Sequence, residues 1–225
     1  MPNESLELSF LSIFSVLSFF TFLIIYKLSD KIFGKSLYDD DFDKPQSFHN
    51  QNIPRSGGIA SIFSFFIFLF LNDLLFSIIY FEYLFSGIGL FLIGFFEDIK
   101  FRLSPKTRLI LMSIFLILII KIFSLEIRGV DLPFLNYLLS FDIILFIFIL
   151  LCFLFIINGS NLIDGFNGLL AFQLIIINGV LLSINLDNGH QLFSVFLTAQ
   201  LIVLLIFLLF NFPIAKIFMG DGGAY

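Results

Sequence analysis

Four carboxylates fall beside long apolar runs, where a chain of this kind has little reason to place charge. Glu97 and Asp98 close Gly94-Phe-Phe-Glu-Asp98, Asp164 lies in Asn158-Gly-Ser-Asn-Leu-Ile-Asp-Gly-Phe-Asn-Gly-Leu169, and Asp221 lies in Phe218-Met-Gly-Asp-Gly-Gly-Ala224. A carboxylate next to hydrocarbon is costly unless it lines a wet cavity or holds an ion. Oxygen donors that leave room for water or phosphate suit Mg²⁺, with Mn²⁺ as a substitute, and no His/Cys spacing supports zinc or iron. A divalent ion in an acidic site points to phosphate chemistry, because it bridges anionic oxygens that the carboxylates alone would repel. Arg55, in Ile53-Pro-Arg-Ser-Gly-Gly58, adds a planar fork suited to phosphate. Glycines at 57–58, 165, 168 and 222–223 would let backbone N–H groups come close to such an anion. Each signal alone has a bland reading: Asp-Gly as a turn, Gly-Gly as a hinge, Pro-Arg as an interfacial anchor. Their weight comes from falling together.

The elements that must position these groups are membrane helices. Hydrophobic residues make up 59% of the chain and charged ones 13%, with 36 phenylalanines; the mean hydropathy is +1.07. This excludes a soluble domain and, with a net charge of −5, a nucleic-acid-binding role. The apolar runs are continuous and do not alternate, which excludes a β-barrel. The expected fold is an all-α polytopic membrane protein, a single domain over residues 1–225 with about seven spans. These are Leu6–Tyr26, Gly57–Leu71, Phe76–Phe96, Leu109–Phe123, Phe141–Ile157, Leu169–Ile184 and Leu192–Phe212. Several fall short of the ~20 residues needed to cross the hydrocarbon core. The first span lacks a preceding basic residue and a following small-residue cleavage site, so it is expected to be retained. Cys152, inside a span, reads as a small hydrophobe. Gln173, Asn178 and Gln200 read as hydrogen-bonding partners between helices.

Charge placement orients the spans. Lys27, Lys31, Lys35, Lys44 and Arg55 follow the first, Lys100, Arg102, Lys106 and Arg108 follow the third, and Lys216 follows the seventh; Lys121 and Arg128 alone fall on the other side. Excess lysine and arginine mark cytoplasmic loops. The N-terminus is therefore expected outside, and segments 27–56, 97–108, 158–168 and 213–225 in the cytoplasm. All four acidic positions and Arg55 then share one face, while the opposite loops hold only Asp131 and Asp187 in ordinary sequence.

Pro54-Arg-Ser-Gly-Gly58, Glu97-Asp98 with Leu103-Ser-Pro105, Asn158-x-x-Asn-x-x-Asp-Gly-x-x-Gly-Leu169 and Gly220-Asp-Gly-Gly223 occur in this order. In that order they resemble the signatures of the polyprenyl-phosphate N-acetylhexosamine-1-phosphate transferases. The resemblance runs from about Asp43 to Tyr225, and the Pro-Arg-x-Gly-Gly form is closer to the O-antigen and teichoic acid branch than to the phospho-MurNAc-pentapeptide translocase. It implies transfer of the sugar-1-phosphate of a UDP-N-acetylhexosamine to polyprenyl phosphate, with release of UMP, at the inner membrane of a bacterium. It implies Asp221 as the main Mg²⁺ ligand, with Asn158 near it, and Asp98, Glu97 and Asp164 as catalytic groups. Asn158 and Asn161 would shape the floor of the site. Gly165, Asn167 and Phe218 would meet the uridine, and Lys44, His49 and Arg55 the incoming phosphate. His49 reads equally well as a solvated loop histidine.

Two departures accompany the resemblance. The acidic pair, often Asp-Asp, is Glu-Asp here. Family members continue through further spans and a histidine-rich loop beyond the position of Tyr225, so the chain is expected to form the N-terminal part of a longer transferase fold. Membrane lipids are expected partners and a homodimer is one assembly open to it. Two alternatives stay beside the transferase reading: an ion-coupled transporter, since intramembrane Asp and Asn also mark ion sites, and an inactive truncated protein or subunit. The orientation is testable by itself. With Cys152 replaced by alanine, a cysteine at Ser104 should be shielded from a membrane-impermeant thiol reagent in intact cells, and one at Asn188 should react. Labelling at 104 from outside would overturn the shared-face reading.

Overall fold

A chain in hydrocarbon must satisfy its backbone hydrogen bonds within each segment, so long apolar runs fold as helices. The computed structural model describes residues 2–39, 52–78, 80–99, 101, 103–127, 129–189 and 191–225. Its helices are α1 (Pro2–Phe33), α2 (Gly57–Phe76), α3 (Phe81–Asp98), α4 (Pro105–Ile122), α5 (Pro133–Leu139), α6 (Asp142–Ile163), α7 (Leu169–Asp187), α8 (Gln191–Asn211) and the short α9 (Asp221–Ala224). The protein is all-α and polytopic. Among the described residues, five helices are long and apolar enough to cross a membrane: Leu6–Ser29 of α1, α2, α6, α7 and α8. The other two long helices, α3 and α4, have 18 residues each, about 27 Å at the usual rise. Both carry charge towards their ends: Glu82, Glu97 and Asp98 in α3, Lys106, Arg108 and Lys121 in α4.

Several boundaries differ from the sequence reading, each for a local reason. The third span was expected from Phe76, but Ser77 turns left-handed at φ 55° to end α2. The Asn72 amide steadies that turn by donating to the carbonyl of Ile78 at 2.8 Å, and α3 begins at Phe81. The fourth helix starts four residues before Leu109, because Ser104 accepts from the Thr107 N–H and Pro105 follows it as the first helical residue. The largest correction concerns 158–168, expected as a loop. Helix α6 runs on to Ile163, and the side chains of Asn158 and Ser160 fold back onto the carbonyls of Leu154 and Ile156 at 2.7 and 2.8 Å. That back-bonding lets polar residues continue a helix. Only residues 164–168 are non-helical, with Gly168 at φ +76° leading into α7. The short elements were not foreseen: α5, α9, a 3-10 turn over Gly34–Leu37, and an antiparallel pair of two-residue strands, β1 (Tyr38–Asp39) and β2 (Ile53–Pro54), after α1.

Helix α8 lies innermost, with Phe207, Phe210 and Ile206 against Phe22 of α1, Ala60 of α2 and Ala171 of α7. Nearer its start, Val195, Phe196 and Ala199 meet Phe10 and Phe14 of α1 and Phe68 of α2. A separate cluster of Met112, Leu116 and Ile157 joins α4 to α6. Large apolar side chains such as Phe70, Phe155 and Ile176 point outward, as lipid-facing positions do.

The ends that carry the motifs meet at one end of the bundle. Asn211, 3% exposed at the end of α8, accepts the Gly168 N–H at the start of α7. Its amide also donates to the Ile217 carbonyl at 2.9 Å. It thus satisfies two backbone groups that have no helical partner, and a buried group left unpaired costs about 1–3 kcal/mol. Asn211→Ala should therefore lower stability by about 2 kcal/mol or more, read by reversible unfolding in mixed micelles, whereas the lipid-facing Leu209→Ala should cost far less. Equal losses would remove the bridging role.

Candidate active site

The last residue of α3 organises the site. Asp98 lies beyond the apolar run that ends at Phe96 and is 3% exposed. Its Oδ1 accepts the Asp221 N–H and its Oδ2 the Gly222 N–H, both at 2.9 Å. The Arg55 guanidinium lies 3.8 Å from Oδ1. The carboxylate thus caps the first turn of α9 from a different helix.

Glycines make this closeness possible. A Cβ on Gly94 would lie 2.5 Å from the Asp221 carbonyl, one on Gly220 (φ +75°) 2.7 Å from Asp98 Oδ2, and one on Gly223 2.7 Å from the Gly58 Cα. The Gly57 and Gly58 N–H groups donate to the carbonyls of Phe218 and Met219 at 2.8 and 2.7 Å, and the Phe218 N–H donates to Pro54 at 2.9 Å. The sequence reading gave the glycines at 57–58, 165, 168 and 222–223 to a phosphate cradle. Instead, the amides at 57, 58 and 222 are already used within the protein, and the pairs serve close backbone packing.

Asp221 itself faces a polar cluster. Its Oδ2 accepts from Arg108 Nη1 at 3.1 Å and from the Tyr225 hydroxyl at 3.4 Å. That hydroxyl in turn accepts from the Asn161 amide of α6 at 2.7 Å. The Arg108 guanidinium stands 5.8 Å from the centre of the Tyr225 ring. Burial, foremost, and then the Asp221 charge push the Tyr225 hydroxyl well above its usual range, so it stays a donor. Arg108 and Tyr225 were not among the residues picked from sequence. The available signal was a basic residue in the first turn of α4, where the helix dipole disfavours it unless an anion is near.

Burial pushes Asp98 up to about 7, assisted by the Asp221 charge and opposed by the Gly222 and Asp221 N–H groups and by Arg55. Asp164, just past α6, is also raised to about 7, by burial first and then by the charges of Asp221 and Asp98, against Arg55. These mutual effects place the three aspartates in one electrostatic unit. Glu97, next to Asp98 in α3, has a buried Oε2 with no hydrogen-bond partner among the described residues.

The remaining expected residues divide. Asn161 is in the cluster, while the Asn158 amide is turned onto its own helix. Phe218 is placed beside Arg55 by its backbone bonds to Pro54 and Gly57. Asn167 is exposed and donates to the Pro213 carbonyl at 3.2 Å. A Cβ on Gly165 would meet only the Leu162 carbonyl, at 3.9 Å, so its flank is open. Lys44 and His49 lie outside the described residues.

Among the described residues no three His, Cys, Asp or Glu side chains converge as a metal cage. The donor set nevertheless fits a hard divalent ion that takes its other ligands from water or phosphate. Among the described residues, Glu97 Oε2 and the Asp221 oxygen left over by Arg108 and Tyr225 are hard donors without other partners.

A family model for glycosyl transferase family 4 matches residues 80–225, spanning the last three motifs. The chain belongs to glycosyl transferase family 4. A probable undecaprenyl-phosphate N-acetylglucosaminyl 1-phosphate transferase of Bacillus subtilis (strain 168) is 31% identical to it over 219 residues, 93% of this chain and 58% of that protein. Phospho-N-acetylmuramoyl-pentapeptide-transferases match as well. That of Clostridium perfringens (strain 13 / Type A) is 28% identical over 63% of the chain and 47% of its own length. That of Bacillus pumilus (strain SAFR-032) is 30% identical over 85% and 62%. The chain spans about half the length of the Clostridium perfringens relative and somewhat more of the other two. The family resemblance drawn from the ordered motifs is borne out, and this family 4 member brings those motifs to one end of its helices.

The raised carboxylates carry a pH signature. A folded-state pKa near 7 against an ordinary 3.8 means that the folded protein holds protons the unfolded chain has released. The stability so gained is complete below about 4 and is lost as pH rises through about 7. The cation-free protein should therefore lose thermal stability between about pH 4 and 7, and Asp164→Asn should flatten that decline. A stability that rises over this window would contradict the raised values.

Proposed function

We propose that the site transfers the sugar-1-phosphate of a UDP-N-acetylhexosamine to undecaprenyl phosphate, releasing UMP and starting a cell-surface polysaccharide. The observation that carries the reading is the meeting of Asp98, Asp164 and Asp221 with Arg55 and Arg108 at one end of the helices. Anionic groups balanced by arginine forks at the rim of a membrane suit a reaction between a water-borne diphosphate and a lipid-borne phosphate. The orientation follows the basic residues: seven spans, with α3 and α4 added to the five long apolar helices, the N-terminus outside, and the site open to the cytoplasm of a bacterium.

Mg²⁺, held by Asp221 with Glu97 beside it, would supply charge neutralisation of the transferring phosphate when bound. Asp98 has both oxygens engaged by backbone N–H groups and acts as the strut of the 220–223 turn. Asp164, whose carboxylate titrates near neutrality, is the better-placed acceptor for a proton from the lipid phosphate. Arg55 and Arg108 exchange their aspartate partners for phosphate oxygens as the substrates enter. Asn161 lines the floor, and Phe218 with the open flank at Gly165 receives the uridine.

A second reading differs only in the sugar nucleotide. The relatives named as phospho-N-acetylmuramoyl-pentapeptide-transferases favour UDP-MurNAc-pentapeptide as donor, while the relative aligned to 93% of the chain favours UDP-N-acetylglucosamine. Membranes from cells expressing the gene that encodes this chain should convert one of these donors and undecaprenyl phosphate into a lipid-linked product and UMP. Chelation should stop turnover and Mg²⁺ or Mn²⁺ restore it. Asp221→Asn should cost about a hundredfold in rate or more, and Asp187→Asn, remote from the site, little. Movement of substrate across vesicles without UMP release would favour a transporter, and equal losses in the two variants would overturn the site.

A further inference from the structure

Asp221 is tethered asymmetrically. Arg108 and Tyr225 both donate to Oδ2, and among the described residues Oδ1 accepts nothing. A carboxylate can turn about its Cβ–Cγ bond, and two donors on one oxygen restrict that rotation and aim the other oxygen. The donors differ in kind. Arg108 is a counter-charge on a long side chain, 24% exposed, whereas Tyr225 is rigid. Its ring packs by the Met112, Leu116 and Ile157 cluster, and its hydroxyl receives the Asn161 amide at 2.7 Å. With that acceptor position filled, the hydroxyl proton is directed at Asp221. The chain Asn161–Tyr225–Asp221 thus links α6 to α9, two elements that otherwise bring their motifs from separate parts of the sequence.

We propose that Tyr225 is a positioning residue that fixes the Asp221 carboxylate, presents Oδ1 to a divalent cation, and makes that presentation depend on Asn161. The proposal rests on the reading of Asp221 as a cation ligand but not on the identity of the sugar nucleotide or on transfer taking place. It also gives Asn161 work apart from any contact with substrate: it orders the tyrosine hydroxyl. Removing that hydroxyl leaves the ring, the arginine above it and the apolar cluster in place.

The test is Mn²⁺ binding to the purified protein, followed by electron paramagnetic resonance in the absence of substrates. Groups that orient a metal ligand typically contribute 10–100-fold to metal affinity. Tyr225→Phe should weaken Mn²⁺ binding by about tenfold while the melting temperature of the cation-free protein stays near that of the wild type. Asn161→Ala should weaken it similarly, and the double variant should be no worse than Tyr225→Phe alone, because both remove one linkage. Tyr225→Leu, which also takes away the surface under Arg108, should weaken binding further. Unchanged Mn²⁺ affinity in Tyr225→Phe would overturn the proposal, as would strictly additive losses in the double variant. A wild-type protein that binds no Mn²⁺, or whose Asp221→Asn variant binds it equally well, would remove Asp221 as ligand and the proposal with it. If Mn²⁺ binding depends on Tyr225 as stated but no donor yields UMP, the transferase reading fails and the positioning role stands.

Discussion

One buried carboxylate accepting two backbone N–H groups holds this site together. Asp98 reaches from the end of α3 to the amides of Asp221 and Gly222, and every other polar contact of the cluster presupposes that the 220–223 turn stays there. A carboxylate suits the task because it offers acceptors on both oxygens and no donor to clash with an N–H. Asparagine in its place would set an NH₂ against one of the two amides, so isosteric exchange at this position changes architecture as well as charge. Burial makes the anion costly, and the two N–H bonds and Arg55 offset only part of that cost.

The second constraint is steric. Three pairs of segments approach at backbone distance: Gly58 with Gly223, Gly94 with Asp221, and Gly57 with Phe218. None of them leaves room for a methyl group. Helices α2 and α3 can flank the turn closely only because their facing residues lack side chains, so the glycines of the motifs are first a matter of volume. The Gly57, Gly58 and Gly222 amides that sequence reasoning reserved for phosphate are consumed in building the wall of the site.

How much of this could be read from the chain depended on range. Composition and continuous apolar runs identified the helices, and the charge asymmetry grouped Glu97, Asp98, Asp164 and Asp221 before any coordinates. Local chemistry escaped where side chains overrode residue type. Asn158 and Ser160 resemble loop formers, but back-bonding to carbonyls four residues earlier keeps them helical. Arg108 was counted for topology and not for the site, because its partner Asp221 lies 113 residues away in sequence. Tyr225 and Asn211 act through hydrogen bonds whose partners sit on other elements, and no periodicity announces such pairs.

The pairing of Arg108 with Asp221 and of Arg55 with Asp98 has a consequence for how anions enter. The cleft is no bare negative hole waiting for a cation, nor a positive one waiting for phosphate. Each arginine is already matched to an aspartate, so an anion that engaged either guanidinium would take a counter-charge from a carboxylate in a poorly solvated place. A cation at the oxygen of Asp221 that Arg108 leaves open would lower that cost.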